Sequence, residues 1–172
     1  MLRRGLIVAA ICLLPAIANA QNTARGPWEL TLGGGASNGS RFNGFSASAN
    51  GGIGYFLNDN IELGVRQSIS YTDVGPKTLN GSTRVALDLH IPLGDQGQFV
   101  PFIGANGGYV YGDSVSDTWE LAPEGGLKWF LNNTTFVYGM VEYQIFLDRH
   151  SNTNQAFNDG VFVYTLGIGV RF

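Results

Sequence analysis

From Trp28 to Phe172, apolar side chains recur at every second position of one segment after another. That period is the signature of β-strand, whose successive side chains leave opposite faces. Eight such segments can be read, each close to the 9–11 residues that a tilted strand needs to cross a bilayer. They run Trp28 to Ala36, Gly44 to Phe56, Ile61 to Tyr71, Thr83 to Leu93, Phe99 to Tyr111, Thr118 to Phe130, Thr135 to Leu147 and Val161 to Phe172. One row of each segment is apolar: Leu30 and Leu32 in the first, Val85, Leu87 and Leu89 in the fourth, Tyr164, Leu166, Ile168, Val170 and Phe172 in the last. These rows hold no charge, and Gln67 alone interrupts the third. The opposite rows hold Glu29, Glu62, Arg66, Arg84, Asp88, Glu120, Glu124, Lys128, Glu142 and Arg171, with His90.

Such sorting fits two architectures. A soluble sandwich or lipocalin-like barrel turns the apolar row inward; a transmembrane barrel turns it outward and the charges in. A cation facing mid-bilayer lipid costs about 2–4 kcal/mol, which would clear charge from a lipid-facing row. Period alone does not separate the two.

Loop lengths favour the membrane. Long connections (Ser37–Asn43, Thr72–Ser82, Gly112–Asp117, Asp148–Gly160) alternate with short ones (Leu57–Asn60, Gly94–Gln98, Leu131–Thr134). Outer-membrane barrels have short periplasmic turns and longer outer loops. Aromatic residues also cluster at both strand ends, as interfacial girdles do. Trp28, Tyr55, Phe56, Phe99, Trp129, Phe130, Phe136 and Phe172 fall near the short turns. Tyr71, Tyr109, Tyr111, Trp119, Phe146 and Phe162 fall near the long loops.

Composition agrees. Charged residues are 13%, about half the usual share. Mean hydropathy is near zero at +0.05, and no segment beyond the leader has the apolar length of a spanning helix. There are 10 Lys+Arg, two of them in the leader, against 13 Asp+Glu, which is no footprint for nucleic acid. The single cysteine, Cys12, also lies in the leader, so the rest of the chain offers no disulfide, thiol nucleophile or thiolate metal site.

Residues 1–20 read as a cleaved export signal: Arg3-Arg4, an apolar run from Gly5 to Ile17, and the small-residue site Ala18-Asn19-Ala20. Residues 21–172 are then the mature barrel domain.

The chain ends on an aromatic residue, with Tyr164, Leu166, Ile168, Val170 and Phe172 at alternate positions. This resembles the C-terminal signature read by the outer-membrane barrel assembly machinery. Gly54 to Leu63, Pro101 to Tyr109 and Glu124 to Phe130 resemble, in order and spacing, elements of small eight-stranded outer-membrane β-barrel proteins. The opacity-protein/OmpX group and the transmembrane domain of OmpA are the relatives named by this resemblance. It implies an all-β fold: an eight-stranded antiparallel up-and-down barrel in a Gram-negative outer membrane. Such a protein is monomeric, has both termini in the periplasm and contacts lipopolysaccharide. The resemblance further implies a non-enzymatic role in adhesion, host-surface binding, envelope integrity or defence. With Phe172 as the last residue, no peptidoglycan-binding domain is expected.

An eight-stranded barrel is just wide enough for side chains to fill it. The inward acids (Glu29, Glu62, Asp88, Glu120, Glu124, Glu142) and bases (Arg66, Arg84, Lys128, Arg171) must then pair or be solvated by trapped water. We expect a salt-bridged plug, with Glu62, Arg66, Arg84, Glu124, Lys128 and Glu142 at its centre. A narrow, porin-like ion path is the alternative. Inward glycines (Gly33, Gly35, Gly52, Gly54, Gly64, Gly104, Gly108) match no phosphate-loop motif and read as space for neighbours. Pro101 and Pro123 fall inside strands, which predicts bulges or shortened pairing.

A third reading is enzymatic. Arg149-His150-Ser151-Asn152 and Asn158-Asp159-Gly160 are similar to the outer-rim region of lipid A deacylases, which pair a His-x-Ser with a downstream Glu. Here His150 and Ser151 are adjacent, which turns them to opposite faces, and no Glu follows Asp159. A serine without an aligned base is a weak nucleophile. His90 and His150 lack partners at metal-ligand spacing. No catalytic residue, metal or cofactor is therefore expected. The long loops, rich in Ser, Thr, Asn, Gly and Asp, are the expected surface for a host or surface ligand.

Overall fold

The computed structural model describes residues 25–38, 45–73, 76–94, 97–113, 118–147 and 160–172. Its strands are β1 (Trp28–Asn38), β2 (Phe45–Phe56), β3 (Ile61–Thr72), β4 (Thr78–His90), β5 (Phe99–Gly112), β6 (Thr118–Phe130), β7 (Thr135–Leu147) and β8 (Val161–Arg171). Each pairs antiparallel with its chain neighbour, and β1 closes on β8 to complete the barrel. Trp28 and Phe172 exchange backbone hydrogen bonds of 3.0 and 2.8 Å at that seam.

The short turns are set by side-chain chemistry. Asn58 Oδ1 accepts from the Asn60 and Ile61 amides at 2.9 Å. Asn132 Oδ1 accepts from the Thr134 amide at 2.9 Å and the Thr135 amide at 2.7 Å. These Asx turns reverse the chain without a glycine. The turn after β4 instead uses Gly94 and Gly97, at φ of 83° and 57°.

Two boundaries of β4 differ from the sequence expectation. The strand starts at Thr78, not Thr83, because its ladder with β3 continues through Ser70↔Asn80 to Thr72↔Thr78. Leu79-Asn80-Gly81 reads locally as a turn, yet a Cβ at Gly81 would sit 2.6 Å from the Tyr111 ring. That ring covers the glycine and keeps it in the sheet. At its other end the strand stops at His90, not Leu93; Pro92 has no amide to continue the ladder.

The prolines produce no bulge. Pairing between β6 and β7 runs to Leu121↔Ile145 and resumes at Glu124↔Glu142 in unchanged register, so the ladder lapses around Pro123. Pro101 lies just past the last β4–β5 pair, His90↔Phe102, and its carbonyl still accepts from Ile91 at 2.9 Å.

The apolar rows face outward. Leu32, Val85, Leu87, Ile103, Leu166 and Ile168 are all exposed, and the charged rows are inside. Among the girdle aromatics, Trp28, Tyr55, Phe99, Trp129 and Phe172 point outward at the short-turn end, and Tyr111, Trp119 and Phe162 at the other. Phe56, Phe130 and Phe136 do not: they are buried, sharing the parity of the charges. Phe146 likewise lines the interior. The structure corrects these four assignments. The interior therefore contains an apolar core of Val100, Phe102, Phe130, Phe136, Tyr138 and Met140 at the short-turn end.

Candidate functional site in the bore

Among the described residues three cations run along the bore, and each lies within ion-pair distance of two carboxylates. Nearest the short turns, Lys128 Nζ of β6 donates to Glu29 Oε1 at 2.5 Å and Glu62 Oε2 at 3.0 Å. Next, Arg66 of β3 donates at 2.6 Å to Asp88 of β4 and at 2.6 Å to Glu124 of β6. Toward the long loops, Arg84 of β4 donates to Glu142 of β7 at 2.5 Å and lies 3.5 Å from Glu120 of β6. Asn106 Nδ2 donates to both Glu124 and Glu142, at 2.7 Å to the latter, and so ties the second group to the third.

Small residues make this geometry possible. Gly104 lies between Asp88 and Glu124 in the register, and Gly108 between Arg84 and Glu120. A Cβ at Gly104 would sit 2.0 Å from Asp88 Oδ1, and one at Gly54 would sit 1.7 Å from Glu62 Oε1. Glycine rows on β2 and β5 thus leave room for long charged side chains from their neighbours.

Burial decides the energetics. Glu29, Glu62, Arg84, Asp88, Glu120, Glu124, Lys128 and Glu142 are all buried. In a desolvated bore an ion pair holds only if its geometry is good and its remaining groups are hydrogen-bonded. Lys128 also sits 5.2–5.7 Å from the ring centres of Phe56, Phe102 and Phe136, a cation–π cage.

The expected central residues meet through partners outside that set as well: Lys128 joins Glu62 to Glu29. Arg66 reaches Asp88 and Glu124, and Glu62 goes to Lys128. Arg171 joins no clamp among the described residues; it donates to the Gly26 carbonyl at 2.8 Å and lies 3.4 Å over the Phe56 ring. Arg25, outside the strands, stacks 3.6 Å over Phe130 from the short-turn side. Burial, then the charge of Arg171, holds its pKa below the usual arginine value.

Glu62, Asp88 and His90 bring one ligand atom each within 4.8 Å of the others, a donor set that could hold a metal ion. Sequence spacing hid it because it spans two strands: Glu62 pairs with Asp88, and His90 follows two residues on. The set is already occupied chemically. Lys128 holds Glu62, Arg66 holds Asp88, and His90 Nε2 lies 2.9 Å from Glu62. A metal ion would have to displace these cations.

Between the first and second groups lies a cavity of about 30 Å³, beside Thr31, Asn50 and Tyr138. That is room for about one water. His150, Ser151 and Asp159 lie outside the described residues, as does the leader.

A closed eight-stranded meander, apolar outside and charged within, is the architecture of small outer-membrane barrel proteins. The chain is similar in structure to Neisserial surface protein A, at a TM-score of 0.59 and 14% identity, covering 84% of this chain and 95% of that one. It is similar to the outer membrane protein OprG of Pseudomonas aeruginosa, at 0.57 and 14% identity over 87% and 97% of the two chains. The N-terminal β-barrel domain of Pseudomonas aeruginosa OprF gives 0.55 and 18% identity over 86% and 99%. These likenesses establish the fold. No protein-family model matches the chain, and no curated protein matches its sequence.

Proposed function

We propose that this chain is a non-enzymatic surface protein of a Gram-negative outer membrane, exported by a cleaved signal in residues 1–20. Its short turns and both termini face the periplasm, and its long loops face out. The observation that carries this reading is the outward apolar belt around a bore filled by charge pairs and aromatic rings. A soluble protein would not leave Leu32, Ile103, Leu166 and Ile168 about 60–70% exposed (62%, 60%, 72% and 58%) while burying eight charged side chains. A filled bore argues against a porin-like path and leaves the loops as the place where function can reside.

The exposed outer face of β8, with Tyr164, Leu166 and Ile168, and the exposed Phe172 that follows it support a role for this segment in recognition by the assembly machinery. Because β4 begins at Thr78, the second long loop shrinks, and residues 148–160 remain the longest connection by a wider margin. We expect this loop to carry ligand binding to a host or neighbouring surface. Cells producing a variant with residues 149–159 replaced by a short Gly/Ser linker should lose most surface adhesion, with equal barrel in the outer membrane. Adhesion at the unmodified level would refute the assignment to this loop. Lipid A mass spectra unchanged by the protein are the expected companion result; an acyl chain lost only when Ser151 is present would establish the deacylase reading instead.

A further inference from the structure

Above the Arg84 group, toward the long-loop ends of the strands, the bore opens into a cavity of about 250 Å³. Arg84, Glu120 and Glu142 line its inner end. That set has one positive charge against two negative ones. Glu142 is held by Arg84 and Asn106. Glu120 is not so well served. Its side chain is 1% exposed, and its Oε1 has no hydrogen-bond partner; Arg84 Nε, at 3.5 Å, makes no hydrogen bond either. A desolvated carboxylate oxygen without a donor is costly, and a cation placed there would relieve the cost.

Phe146 stands directly opposite Glu120 in the β6–β7 register and also lines the cavity. The remaining wall carries no further charge and mixes hydroxyl and amide groups, such as Ser68 and Asn50, with apolar side chains such as Val110 and Val163. A carboxylate and an aromatic ring from paired positions of one cavity wall, with apolar, hydroxyl and amide groups around them, is the chemistry that recognises an alkylammonium ion. A divalent metal fits less well, because it needs several oxygen ligands and the Glu142 carboxylate is already engaged. We propose that this cavity binds a small alkylammonium ion, its charged head between Glu120 and Phe146 and its polar end along the wall. The inference rests on the bore and its cavity, not on the loops.

Choline is the probe, titrated into the protein folded in lipid nanodiscs and followed by backbone amide shifts. Choline should saturate one site and move the signals of Glu120 and Phe146. Its uncharged isostere, 3,3-dimethylbutan-1-ol, should bind roughly tenfold or more weakly. Glu120→Gln should weaken choline by a similar factor, and Phe146→Leu severalfold. If Glu120→Gln does not fold, the isostere and Phe146→Leu carry the test. Absence of saturable shifts, equal binding of the isostere, or displacement of choline by stoichiometric Mg²⁺ would each overturn the proposal.

Discussion

Replacing Lys128 by Met should lower the unfolding free energy of the barrel in lipid vesicles by about 3–5 kcal/mol. Met keeps the length of the side chain but removes the charge that Glu29 and Glu62 share. Both carboxylates are buried, and Phe56, Phe102 and Phe136 prevent water from taking the place of the ammonium. The loss is therefore mainly the cost of stranded charge, not of a missing contact. A second variant separates these terms. Lys128→Met with Glu29→Gln and Glu62→Gln removes all three charges and should regain most of the stability. Urea midpoints at unchanged slope measure both. A single variant within about 0.5 kcal/mol of the parent would mean that the bore is wet, since exposed pairs contribute about that much.

Val85→Arg should cost about 2–4 kcal/mol, the penalty of a cation at mid-bilayer. Val85 is mid-strand in β4, faces outward and is 54% exposed. Leu57→Arg, at a short turn, should cost about 0–1 kcal/mol, because a cation near the interface reaches water. Exposure does not separate the two residues, as Leu57 is 58% exposed; depth does. A soluble barrel would tolerate both changes alike. Equal and small losses would therefore contradict the transmembrane assignment.

Much of this was legible in the sequence because the pleat forces parity. Charges restricted to alternate positions identify the inner face without any knowledge of pairing. The limits of β6 and β7 follow from turn residues such as Asn132. Phe56, Phe130 and Phe136 lie beside the short turns and so resemble girdle residues, but parity places them with the charges, and they are buried. The wiring of the bore lies beyond parity altogether. Lys128 reaches Glu29 and Glu62 across the barrel, and that meeting depends on how every ladder is staggered on the next. Likewise, Gly81 signals a turn locally, and only Tyr111 on the neighbouring strand explains why it stays in the sheet.

The filled bore is the claim on which the functional reading depends, and ionic current tests it most directly. Purified protein should insert into planar bilayers and give no stable porin-sized conductance, because the Lys128, Arg66 and Arg84 groups and the aromatic core occupy the path. A large, steady single-channel conductance from verified folded protein would contradict the account and make the bore itself the functional element.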